Sequence, residues 1–158
     1  MTRHREWLPN ELCSVAGALE IMGERWTIMV LRETFLGTRR FDDFQRNIGC
    51  ARNILSDRLQ RLVANGIVER RPYQERPPRF EYRLTQKGID LWPAIIALMQ
   101  WGDRHLAGER GPAITLEHKT CGHESSPQLA CSHCGEPVSA REFRAHPGPG
   151  SVAATAMA

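Results

Sequence analysis

A chain of 158 residues can hold one domain of ordinary size with a real core and a small appendage. Net charge is only +3, but apart from Lys87 and Lys119 its basicity is all arginine, the residue suited to planar phosphate and base recognition. No run approaches the roughly 18 apolar residues that span a bilayer, and MTRHREWLPN lacks an export h-region, so a soluble cytoplasmic protein without membrane association is expected and its five cysteines are not read as a disulfide framework.

In chain order, residues 11–23 place Val15, Leu19 and Met22 at helical spacing before Gly23, a short first helix. Residues 24–36 are nearly apolar through Trp26, Ile28, Met29, Val30, Leu31, Phe35 and Leu36, which predicts a core helix ended by Gly37. Phe41, Phe44 and Ile48 share a face of a third helix, and Ala51 to Asn65 make a fourth. After Gly66 the period falls to about 2. IVERRPY and RFEYRLT then flank QERPP, a two-stranded hairpin with Pro77 and Pro78 at its tip. From Thr85 to Leu106 helical spacing returns through Ile89, Trp92, Ile96, Met99 and Leu106, with Pro93 kinking or dividing the run. Residues 147–158, PGPGSVAATAMA, read as a disordered tail.

Helix, helix, turn, helix, hairpin is the order of a winged helix-turn-helix, whose last helix enters the major groove. The fold class is therefore mainly α with a small β-hairpin. Residues 38–84 hold eleven arginines against six acids, so a net +5 sits on fewer than half the residues, a local footprint suited to double-stranded DNA. Winding 51–65 at about 100° per residue puts Ile54, Leu55, Leu59 and Leu62 on one arc and Arg52, Asn53, Ser56 and Gln60 opposite, as candidate base and backbone readers. Arg58 falls within the apolar arc instead, so it is expected to be structural, anchored by a carboxylate such as Asp42 or Asp43 or snorkelling along the core edge.

The segment HKTCGHESSPQLACSHCGEP contains His118-x2-Cys121-Gly and Cys131-x2-Cys134-Gly. Two soft-ligand pairs on tight turns suit structural tetrahedral zinc, with His123 and His133 as rivals for the fourth place. A metal-free tail or a Cys131/Cys134 redox pair are the competing readings. Trp7, Trp26, Phe35, Trp92 and Trp101 either line an effector pocket or, more simply, pack the core and a subunit interface.

The stretch from Cys13 to Trp101 resembles the HxlR-type winged-helix regulators, relatives of the MarR group. The matching strings are CSVAGALEIMGERW, RRFDDF, LSDRLQRLVANGIVER, PPRFEYRLTQKG and the final WG. The resemblance implies a homodimeric transcriptional regulator, most often a repressor, built on its N-terminal helix and long C-terminal helix and bound to a palindromic operator. It also implies a small-molecule or redox effector, with Cys13 as the candidate sensor, although few cations lie near it in sequence and plain burial is the simpler reading. Cys50 matches an aliphatic position. Ala51 stands where relatives often carry a capping Ser, and Ser14 where Pro often follows the cysteine.

The organisation expected is a winged helix over 11–107 with a long dimerisation helix, a zinc-ribbon-like segment over 114–146, and the tail over 147–158. Candidate DNA contacts are Arg39, Arg40, Arg52, Asn53, Ser56, Gln60, Arg76 and Arg79; candidate zinc ligands are His118, Cys121, Cys131 and Cys134. No paired carboxylates, nucleophile triad or phosphate loop supports an enzyme. A protein-interaction or zinc-ribbon adaptor using the winged helix as a scaffold is the alternative function.

Overall fold

Alternation of apolar stripes with glycine stops produces six α-helices and two two-stranded sheets among residues 12–151, which the computed structural model describes. Trp7 and residues 152–158 of the expected tail lie outside the described residues. The chain divides into two compact units between Ala97 and Leu98. That division falls inside the last long helix, ahead of the boundary at 107 expected from sequence.

In the first unit, α1 (Ser14–Met22), α2 (Arg25–Phe35), α3 (Phe41–Ile48) and α4 (Arg52–Ala64) precede a hairpin of β1 (Val68–Gln74) and β2 (Arg79–Leu84). The core is Val30 and Leu31 of α2, Phe44 of α3, Leu55, Leu59 and Leu62 of α4, and Ile67 and Val68 entering the hairpin. Tyr82 and Leu84 pack on it from β2, and the Tyr82 ring meets Phe44 edge-on at 6.3 Å.

Helix ends set the angles. The α2 helix closes through Gly37 at φ 95°, with Gly37 N–H donating to Thr34 O at 3.1 Å and Thr38 N–H to Glu33 O at 3.0 Å. The α4 helix ends in the same way: Gly66, at φ 66°, donates to Val63 O at 2.9 Å and Ile67 to Leu62 O at 2.9 Å. These paired bonds satisfy orphan carbonyls and turn the chain sharply, and only glycine takes the left-handed conformation without strain. Lys87 adds a cation at the α4 terminus by donating to Asn65 O at 2.9 Å.

The hairpin is antiparallel with Val68 opposite Leu84, and its turn spans residues 75–78, where the prolines were expected. Arg40 pairs with Glu81, and Tyr82 N–H donates to Arg39 O at 2.8 Å, so the α2–α3 link adds a one-residue strand to the free edge of β2. After the hairpin, α5 (Gln86–Ile89) and α6 (Trp92–Leu106) are separate helices, which settles Pro93 as a divider in the first turn of α6.

The apolar reading of α2 needs correction. Thr27, Glu33 and Thr34 are buried, whereas Leu36 is exposed. Thr34 donates its hydroxyl to Val30 O at 2.7 Å, and Glu33 accepts from three groups described below, so the Thr34 hydroxyl and the Glu33 carboxylate enter the interior with partners.

In the second unit, a 3-10 turn at Gly108–Arg110 leads to β3 (Glu117–His118) and β4 (His123–Glu124), which pair as a small hairpin. Gln100 donates to Ser126 Oγ at 2.9 Å and to Pro127 O at 2.7 Å, holding the following loop.

Candidate nucleic-acid interface

Burying Leu55, Leu59 and Leu62 fixes the rotation of α4, and the opposite face is thereby forced outward. Asn53 and Gln60 are exposed and Ser56 is half-buried; among the described residues their side chains make no hydrogen bond. Three unclaimed donor-acceptor side chains at helical spacing can address base edges and phosphates. The helix starts at Ala51 without a side-chain cap, as expected, so its first N–H groups remain open to an anion.

Arg52 is placed differently. Its Nη1 donates to Gln45 Oε1 at 2.8 Å and Asp42 Oδ1 at 3.1 Å, while its guanidinium stacks over Phe41 at 4.8 Å. It is exposed but held against α3, oriented rather than free.

Arg58 faces inward, with 13% of its side chain exposed, as its helical angle required. Its carboxylate, however, is Glu24 at 2.5 Å, with Asp57 at 3.3 Å, and neither Asp42 nor Asp43 takes the role. Those two acids pair instead with Arg52 and Arg46. Arg61 is also occupied, donating to Glu20 O at 3.0 Å and tying α4 to α1.

Arg39, a candidate DNA contact from sequence, is engaged within the fold. Its Nη1 donates to Thr34 O at 2.8 Å and Thr38 O at 3.2 Å, which anchors the end of α2. Arg40 is exposed and stacks over Tyr73 of β1 at 4.7 Å. On the hairpin, Arg71 pairs with Glu69 and Arg83 with Glu81, and the strand register sets Arg71 opposite Glu81 and Glu69 opposite Arg83. This alternating quartet is self-neutralised. The positive charge that remains on the wing comes from Arg70, stacked on Phe80 at 3.4 Å, and from Arg76 and Arg79 at the tip, which have no acidic partner among the described residues.

Sequence reasoning missed the group that fixes α2 against α3. Glu33 accepts from Asn47 Nδ2 at 2.8 Å, Thr38 Oγ1 at 2.9 Å and Arg32 Nη2 at 2.6 Å. Burial pushes its carboxyl up, but the Asn47, Arg32 and Thr38 hydrogen bonds and the Arg32 charge outweigh that and hold it below the ordinary value. A glutamate inside an apolar helical run was the available signal.

The cysteines separate into classes. Cys50 is 6% exposed and belongs to the core, as expected. Cys13 is half-buried at the start of α1 rather than fully buried. His118 Nδ1 lies 3.3 Å from Cys121 Sγ. Backbone N–H groups of Cys134 and His133 point at the Cys131 thiol and, with the Cys134 side chain, draw it below the ordinary thiol value. His118 and Cys121 thus lie side by side, while no group of three or more candidate metal ligands is gathered among the described residues. His123 Nδ1 is 2.7 Å from Cys121 O.

Of the aromatics, Trp26 and Phe35 pack against the core, whereas Trp92 and Trp101 are exposed. No helix among the described residues is long and apolar enough to cross a membrane.

Comparison with known proteins gives this geometry its setting. The profile of the HxlR-like helix-turn-helix family matches residues 21–110. An HTH-type transcriptional regulator of Mycobacterium bovis is 53% identical over 137 residues, covering 87% of each chain. A span of that length necessarily runs past the family profile into the second unit. The crystal structure of PA1607, a proposed transcription factor, superposes with a TM-score of 0.74 at 33% identity, covering 85% of this chain and 94% of its own. The reduced form of the redox regulator HypR matches with a TM-score of 0.55 at 31% identity, covering 58% of this chain and 92% of its own. Taken with the buried stripe of α4, its open outer face and the wing, these likenesses establish that the chain belongs to the HxlR-like helix-turn-helix family and is a DNA-binding transcriptional regulator of winged-helix fold, not an enzyme.

Proposed function

We propose that the protein acts in the cytoplasm as a homodimeric repressor, placing one α4 in the major groove of each half of a palindromic operator. The observation that carries this reading is the outer face of α4, where Asn53, Ser56 and Gln60 stand without partners while the opposite stripe is buried. Arg40, Arg76 and Arg79 supply phosphate contacts alongside, and Arg52, already oriented by Phe41 and Gln45, reaches the groove by exchanging Asp42 for DNA.

Support for a dimer comes from apolar surface within each unit. The α1 helix buries no residue and leaves Val15 and Leu19 at 67% and 57% exposure. The second half of α6 leaves Leu98, Trp101 and Leu106 at 55%, 57% and 72%. Exposed apolar side chains of this kind mark an interface, and two-fold proteins meet two-fold sites with half-sites about 34–36 Å apart. A thiol-reactive effector acting at half-buried Cys13 belongs to this reading, suggested by the likeness to a redox regulator.

Selection of genomic DNA fragments by the purified protein, followed by footprinting, tests the proposal. Enriched fragments sharing an inverted repeat are expected, with protection on two successive major grooves. Binding without sequence preference, or protection of one isolated half-site by a monomer, overturns it; absence of duplex binding altogether favours the adaptor reading.

A further inference from the structure

The second unit repeats one hairpin twice. Ser125 N–H donates to Leu116 O at 2.8 Å, and Val138 N–H donates to Leu129 O at 3.1 Å, so two segments of equal length close on themselves in the same way. Within the first, Gly122 N–H donates to His118 O at 2.8 Å, with Gly122 at φ 71°. Within the second, Gly135 N–H donates to Cys131 O at 2.8 Å, with Gly135 at φ 78°. His118 therefore occupies the position of Cys131, Cys121 that of Cys134, and Gly122 that of Gly135. Two tight turns, each offering two soft ligands at its first and fourth positions, recur across one linker.

From this correspondence we propose that His118, Cys121, Cys131 and Cys134 bind one structural zinc ion, each hairpin supplying half of a tetrahedral Cys3His set. The spacing within the first half suits the metal: His118 Nδ1 and Cys121 Sγ lie 3.3 Å apart. Ligands at about 2.0 Å for nitrogen and 2.3 Å for sulfur define a tetrahedral edge of about 3.5 Å. In the second half the same tight turn is closed by Gly135 N–H on Cys131 O and by Cys131 N–H on Glu136 O, both at 2.8 Å. Hairpin equivalence assigns the fourth place to His118. His123 sits at the position of Glu136, after the turn glycine, and its Nδ1 is engaged by Cys121 O; His133 lies between the two cysteines of its own turn.

The four residues are not gathered into one group among the described residues, and closing the two turns on each other is the work assigned to the ion. Among its described residues the unit is poor in apolar burial, with Cys121 and Cys134 exposed and Leu129 at 70% exposure. A unit with so little core needs another source of cohesion, and metal ligation supplies folding free energy directly. Four protein ligands leave no open position for a substrate water, so the ion is structural rather than catalytic.

Metal analysis of the full-length protein, purified under reducing conditions, tests this, together with titration of chelator-treated protein by zinc(II) and by cobalt(II). One zinc per chain is expected, with cobalt giving the visible absorption of a tetrahedral site and the ultraviolet band of thiolate ligation. Cys131→Ser combined with Cys134→Ser should abolish binding. His118→Gln should weaken it by more than the about 10- to 100-fold typical of losing an outer-shell partner. His123→Gln and His133→Gln should retain one equivalent. Reduced protein that takes up no zinc overturns the proposal, as does zinc retained by the double cysteine variant or a Cys131–Cys134 disulfide in protein isolated with reductant. Binding of duplex DNA by the same variants reports separately on the winged helix, so failure of the metal site and failure of DNA recognition are distinguishable.

Discussion

Arg58 of α4 reaches back 2.5 Å to the carboxylate of Glu24, the residue that precedes α2. The pair locks the inner side of α4 to the start of α2. Glu24 is half exposed, so the ion pair alone is worth little, but Arg58 also covers the core edge with its methylenes. Arg58→Ala is expected to lower stability by about 1–2 kcal/mol through lost packing and a lost charged hydrogen bond. Urea unfolding checks this, and the base preference of the variant should equal that of the parent.

Glu33 makes the fold sensitive to acid. Its folded value is depressed, so its contribution is fully present above the ordinary glutamate value of about 4.3. Stability is then lost as pH falls below that point through the lower folded value. Glu33→Gln should cost about 1–2 kcal/mol at neutral pH and flatten the acid limb of the stability curve below about pH 4. Thermal unfolding of parent and variant between neutral and acid pH reads the difference.

Asp42 holds Arg52 at 3.1 Å, so under the proposed docking it competes with DNA for that guanidinium. The pair is exposed on both sides and its exchange for phosphate or base is inexpensive. Asp42→Asn, which removes the competitor and a repulsive charge, should raise operator affinity by about two- to fivefold, as expected of an exposed pair worth up to about 1 kcal/mol. Arg52→Ala should lower it by about 1–3 kcal/mol in the same titration.

Gly88 occupies a place where only a hydrogen fits. A Cβ there would overlap the carbonyl oxygen of Ile67 and crowd Leu84 Cδ2 at 2.9 Å. Gly88→Ala is expected to destabilise by about 1–3 kcal/mol. The cost should appear as a lowered urea midpoint with DNA affinity unchanged well below that midpoint.

Much of this was legible in the chain because periodicity reports burial. The stripe of Leu55, Leu59 and Leu62 fixed which side of α4 faces out, and the same angle turned Arg58 inward. Its partner was not legible, because Glu24 is brought near only by the crossing of α2 and α4. The anchoring of Arg39 was not legible for a related reason: a basic residue in a basic string gives no sign of the carbonyls that the end of α2 offers it. Glu33 was hidden by its apolar neighbours, since a buried carboxylate depends on donors from Thr38 and Asn47 that no spacing rule connects. The two cysteine-bearing turns were visible as motifs, but their equivalence as hairpins needed the bonds from Ser125 to Leu116 and from Val138 to Leu129.

The most direct measurement is equilibrium binding of the parent, Asn53→Ala and Gln60→Ala proteins, and of Arg76→Ala, to selected and scrambled duplexes over a series of salt concentrations. Asn53→Ala and Gln60→Ala should each lose about 1–3 kcal/mol of preference for the selected site. Arg76→Ala should instead weaken both duplexes alike and reduce the salt slope by about 1. Unchanged discrimination in both α4 variants, with each still folded, would contradict the assignment of that face as the reading surface.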